Sequence, residues 1–78
     1  MRYYFHVRTD DTLLPDLEGA EFDSLEAARA EAEQAAREIL AERLLRNEPL
    51  HADVFELTNE KGEILERVSF QSVLRLKT

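Results

Sequence analysis

The chain has no cysteine and no tryptophan, and only two glycines and two prolines. Without cysteine it can form no disulfide and offers no thiolate to a metal. That usage fits a reducing compartment. Two glycines, Gly19 and Gly62, are too few and too far apart for a glycine-rich phosphate loop. Ser24, Ser69 and Ser72 lack the flanking glycines of a nucleophile elbow. Lysine is scarce too: Lys61 and Lys77 are the only two, and the arginines are spread along the chain. Nucleic-acid binders carry a basic patch because phosphate neutralisation drives their affinity, so no nucleic-acid partner is expected. No stretch approaches the roughly 20 apolar residues of a membrane helix. The opening Met1–His6 lacks the apolar core of a signal peptide. These absences predict a cytoplasmic chain with no membrane partner.

What is present is a soluble globular balance: 78 residues, 44% hydrophobic and 35% charged. The length predicts a single domain over residues 1–78. A domain of this size buries only about 60% of its unfolded surface. Chains below roughly 70–80 residues stabilise themselves with disulfides, metals, tight packing or a partner subunit. With thiols excluded, packing and oligomerisation remain, and a homodimer is the expectation. Ten basic against 17 acidic residues give a charge of -7. An acidic surface suits a basic protein partner better than a phosphate backbone.

Tyr3, Phe5 and Val7 alternate with Tyr4, His6 and Arg8, which predicts a strand over 2–8. Asp10-Asp11 has turn chemistry. A short strand near Thr12–Leu14, a bend through Pro15-Asp16 and Glu18-Gly19, and an extended piece at Ala20–Phe22 are expected next. From Leu25 to about Arg46 there is no Gly or Pro, and Ala and Glu dominate. Leu25, Ala28, Ala32, Ala35, Ala36 and Ile39 form one helical stripe bordered by Leu40. Asp23 is the expected cap with Glu26 as its capping-box partner, and Ser24 is the alternative. Glu33–Arg37 and Glu42–Arg46 have the spacing of helix-face ion pairs. Asn47 and Pro49 stop the helix. Leu45 points away from the stripe, so the helix ends or bends there or meets another surface.

Asp53–Thr58 and Glu63–Phe70 predict a hairpin closed by Asn59-Glu60-Lys61-Gly62, with Gly62 left-handed. The second strand alternates imperfectly at Ile64, Leu65 and Glu66. That implies either a bulge or a two-sided setting. Gln71–Leu76 reads as a short turn of helix or a continued edge strand. Strands do not alternate with helices, so the fold class is α+β: one long helix on an antiparallel sheet of three or four strands in ββαββ order. The expected core is Tyr3, Phe5, Val7, Phe22, Leu25, Ala28, Ala32, Ala36, Ile39, Phe55, Leu57, Ile64, Val68 and Phe70.

No catalytic, metal or cofactor residue stands out. Asp10, Asp11, Asp16 and Glu18 fail the calcium-loop pattern: counted from Asp10, Leu14 and Pro15 fall where an oxygen ligand and a glycine are required. His51 and His6 share no metal spacing. Seventeen carboxylates make any one acid–base pair uninformative. Tyr4, His6 and Arg8 share a strand face and form the one candidate small-ligand site. Leu44, Leu45, Val73, Leu74 and Leu76 are apolar residues that one small core does not use, and are the candidate interface.

The run Arg2-Tyr3-Tyr4-Phe5-His6-Val7-Arg8, the turn Pro15-Asp16-Leu17-Glu18-Gly19 and the helix start Ser24–Ala32 resemble a family of short alphaproteobacterial proteins, common in rhizobia, that carry a domain of unknown function. The hairpin turn Asn59–Gly62 and Val68-Ser69-Phe70 extend the likeness over nearly the whole chain. The resemblance implies a bacterial cytoplasmic protein and supplies no reaction or cofactor. Pro15–Gly19 followed by Leu25-Glu26-Ala27-Ala28 is also similar to the N-terminal domain of HicB-type antitoxins. Glu18 replaces that motif's second proline, and no DNA-binding segment follows. Together these observations predict a non-catalytic, self-associating interaction module that binds a second copy or another protein. Neutralisation of a small basic toxin and a ligand site at Tyr4, His6 and Arg8 are the alternatives.

Overall fold

A computed structural model describes residues 1–50 and 53–74. The strands are β1 (Arg2–Arg8), β2 (Leu13–Leu14), β3 (Ala20–Glu21), β4 (Val54–Thr58) and β5 (Ile64–Ser69). One helix, α1 (Leu25–Leu45), lies between β3 and β4, and a single 3-10 turn (Phe70–Val73) follows β5. All pairings are antiparallel and run β2-β1-β4-β5, with β3 also on β1. The class is α+β as expected. The sheet has five strands because the two short segments before the helix both pair with β1's outer edge.

The face of the sheet under α1 carries Tyr3, Phe5, Phe55, Leu57 and Val68. Ala28, Ala32, Ala36 and Leu40 pack over it. Alanine keeps the helix close to the strands, and the larger volume comes from the sheet side and from Phe70 and Val73. Ile64 is a correction to the expected core, at 44% exposed. Leu57 pairs with Glu66 while Thr58 pairs with Ile64, so Leu65 is an extra residue. This bulge moves Ile64 to the outer face, while Glu66 keeps the inward parity of Val68 and meets Arg29 at 3.2 Å. Phe5 and Phe22 are only half-buried; they stack on each other with centroids 5.7 Å apart.

The helix is capped by Ser24, not Asp23: its hydroxyl accepts the Ala27 N–H at 3.1 Å. At the other end Asn47 takes φ 58°. The Asn47 and Glu48 N–H groups donate to Leu44 and Arg43 carbonyls, a Schellman closure that uses asparagine in place of glycine. The helix therefore ends at Leu45, which stays 87% exposed. Neither Glu33–Arg37 nor Glu42–Arg46 is among the ion pairs of the described residues; Arg37 donates to the Gln34 side-chain oxygen within the helix, while Arg29 and Arg43 reach across to other segments. Arg43 meets the buried Asp53 carboxylate at 2.9 Å and lies 5.7 Å over the Phe70 ring. Gly62 has φ 82°, and the Asn59 side-chain oxygen accepts the Lys61 and Glu63 N–H groups to close the hairpin.

Candidate functional site

The outer face of β1 and β4 is polar. Residues directly opposite in an antiparallel pair share a face. Tyr4 faces Thr58, and His6 faces Glu56. Glu56 also faces Arg67 across β5. Its carboxylate is buried between two cations, 3.4 Å from Arg8 and 3.7 Å from Arg67. Pairing on both sides is what makes a buried carboxylate tolerable in so small a domain.

β1 has a gap on its outer edge. β3 pairs with Arg2 and Tyr3, β2 pairs with Val7 and Arg8, and neither reaches Tyr4–His6. The Phe5 N–H in that gap would lack a partner, and Asp16 supplies one: its Oδ2 accepts at 3.1 Å. Its Oδ1 accepts the Glu18 and Gly19 N–H groups at 3.3 and 3.2 Å. One side chain thus ties the 15–19 loop to the strand where no strand pairs. Burial pushes the Asp16 carboxyl up, but the three backbone N–H groups, aided by nearby His6, outweigh it and hold it below its ordinary 3.8. The folded-state value is the lower one. The stabilisation is therefore present above the ordinary carboxyl range and lost as pH falls through the folded value. Asp16→Ala is expected to cost about 1–2 kcal/mol, the scale of a lost capping side chain, discounted for its solvent exposure. Urea unfolding of Asp16→Asn should show a flatter loss of stability on acidification than the wild type.

The same loop engages His6. The Asp16 N–H donates to His6 Nδ1 at 2.9 Å. A backbone N–H can only donate, so Nδ1 is the lone-pair nitrogen and the ring proton sits on Nε2. Nε2 then donates to Thr58 Oγ1 at 3.2 Å. Tyr4 stacks beside the ring, with 10° between the planes, and Gly19 packs against the Tyr4 ring. Tyr4, His6 and Arg8 do share a face, as the alternation predicts. Tyr4 and His6, however, lie half-buried under the 15–19 loop, and both imidazole nitrogens are occupied.

A second region lies at the C-terminal end of α1. Leu40, Ala41, Leu44, Leu50, Val73 and Leu74, beside Arg37, line a groove of about 330 Å³. Leu44 is 69% exposed, and Leu50 and Leu74 are also open to solvent. Val73, grouped with them on sequence, is only 5% exposed because the 3-10 turn folds it into the core. Leu76 and His51 lie outside the described residues. Leu50 was missed by sequence reading, since a single leucine after a proline carries no periodic signal. Glu56, Thr58, Arg67 and Asp53 were missed because their roles arise only from cross-strand register.

A family model described as a domain of unknown function, DUF6894, matches residues 2–71. The chain belongs to this family. The match spans every strand, α1 and the start of the 3-10 turn, so the DUF6894 domain includes both the polar sheet face and α1. No curated protein and no solved structure matches the chain. Among the described residues no helix is long and apolar enough to cross a membrane.

Proposed function

We propose that this protein is a non-catalytic interaction module that self-associates through the C-terminal end of α1. The observation that carries this reading is the contrast between the two surfaces. On the sheet face the groups suited to chemistry are spent on one another: His6 on Asp16 and Thr58, Glu56 on Arg8 and Arg67. At the helix end, apolar side chains surround a groove and remain exposed. Contiguous exposed apolar surface on a small protein marks a contact site. A domain too short to bury a large core gains most from a second subunit there.

Sedimentation of the full chain from micromolar to millimolar concentration tests this. The expected result is a concentration-dependent rise to twice the 9.0 kDa monomer mass. Leu44→Glu puts a charge at the groove without touching the core, and should leave a folded monomer at every concentration. A wild type that stays monomeric throughout would overturn the reading.

A further inference from the structure

Three hydrogen bonds hold the 15–19 loop on β1. Arg2 Nη1 donates to the Glu18 carbonyl at 2.7 Å, the Phe5 N–H donates to Asp16 Oδ2, and the Asp16 N–H donates to His6 Nδ1. Only the last depends on a side chain of the type that changes charge near neutral pH. It needs a lone pair on Nδ1, because Nε2 already carries its proton toward Thr58 Oγ1. A second proton therefore has only Nδ1 to go to. The imidazolium then has two donors and no acceptor, and its new N–H meets the Asp16 N–H across 2.9 Å. The Asp16 carboxylate can accept that new N–H only once the Asp16 backbone N–H has moved out of the position it holds.

We infer that His6 is a proton-operated latch: the neutral ring holds the 15–19 loop on β1, and the charged ring releases it and uncovers Tyr4 on the sheet face. The charges around the ring favour that proton. The loop brings Asp16 and Glu18, and β4 sets Glu56 directly opposite His6. On β1 itself Tyr4 and Arg8 share the face, and Arg67 comes from β5. Glu56 is balanced by Arg8 and Arg67, which leaves Asp16 as the carboxylate that draws a proton toward the ring. Electrostatics thus invites a charge that the closed loop has no acceptor for. Closure requires the neutral ring, so it is complete at higher pH and lost as pH falls through the ring's titration. The Asp16 carboxyl, held below 3.8, titrates under the range of about pH 5–8 in which histidines change charge. The latch is independent of the self-association proposed above.

Imidazole and amide NMR of the full chain, from about pH 8 down to about pH 5, tests this. At the upper end the His6 ring is expected neutral, with its proton on Nε2. As the ring gains its second proton, exchange of the Phe5, Asp16 and Gly19 amides, corrected for intrinsic pH dependence, should quicken about tenfold, the scale of one lost hydrogen bond. The Phe55 and Leu57 amides, on a strand paired on both sides, should not follow. His6→Asn keeps a side-chain acceptor near the Nδ1 position with no proton to gain, and should abolish the change. Loop amides that stay protected while the ring becomes charged would overturn the latch, as would a neutral ring protonated on Nδ1. The same quickening in His6→Asn would assign it to another titrating group and defeat the proposal. If the variant does not fold, the wild-type titration decides alone.

Discussion

Phe70→Ala is expected to lower the unfolding free energy by about 3–5 kcal/mol, a large share of what a domain this small possesses. Phe70 is fully buried although it sits in a 3-10 turn after the last strand. Its ring packs 4.9 Å from that of Phe55, which joins the turn to the sheet. The Arg43 guanidinium lies 5.7 Å over the same ring, and the Phe70 backbone N–H donates to the Asp53 carbonyl at 2.9 Å. Truncation opens a cavity where α1, β4 and the turn meet, and removes the surface on which the Arg43–Asp53 pair rests. Urea unfolding measures the loss. Phe5→Ala is the control: sequence reading ranks Phe5 with Phe55, but its half-burial predicts a clearly smaller cost. Equal losses at Phe5 and Phe70 would contradict this placement of the core.

The second large effect is at Gly19. Gly19→Ala should cost about 3 kcal/mol, whereas Gly62→Ala should cost about 1 kcal/mol. Both glycines have positive φ, 69° and 82°, so both substitutions carry the left-handed penalty. They differ in space. A Cβ on Gly19 would lie 2.8 Å from the Tyr3 carbonyl oxygen and 2.9 Å from the Tyr4 ring. The oxygen belongs to backbone held in place by β3, so it cannot yield as a side chain would. A Cβ on Gly62 meets nothing within 4 Å. Gly19→Ala should also disturb the Asp16 loop, visible as shifted amide resonances of Phe5, Asp16 and Glu18. Similar stability losses at the two glycines would show that the loop does not press on β1.

Much of the fold was legible because local patterns and tertiary demands agree. The alanine stripe from Leu25 to Leu40 marks the buried face of α1, and Asn47 followed by Pro49 marks its end. Alternation in Arg2–Arg8 separates the core face from the polar face. The irregular spacing at Ile64–Glu66 signalled a departure from regular pairing without saying which, and the bulge at Leu65 is the answer. Less of the candidate site was legible. Tyr4, His6 and Arg8 could be grouped on one face. That His6 would be occupied by a loop ten residues away was not readable, because the contact depends on a gap between two two-residue strands. Arg37 and Arg46 stand at ion-pair spacing from Glu33 and Glu42, yet among the described residues the ion pairs of α1 are those of Arg29 with Glu66 and Arg43 with Asp53, whose partners lie beyond the helix.

The scarcity noted at the outset, no cysteine and two glycines, bears on both outcomes. Sequence alone determined that disulfides and glycine-rich phosphate loops have no place here, that one long helix covers an antiparallel sheet, and that leucines remain beyond the helical stripe. These follow from composition and from periods of two and 3.6, which are local properties of the chain. Only the tertiary structure decided what each exception is for. It placed Gly19 against Tyr3 and Tyr4, set Glu56 between two arginines, buried Val73 and left Leu44 open. Those assignments depend on register and on which surfaces come to face one another, and neither is encoded within a single turn or strand.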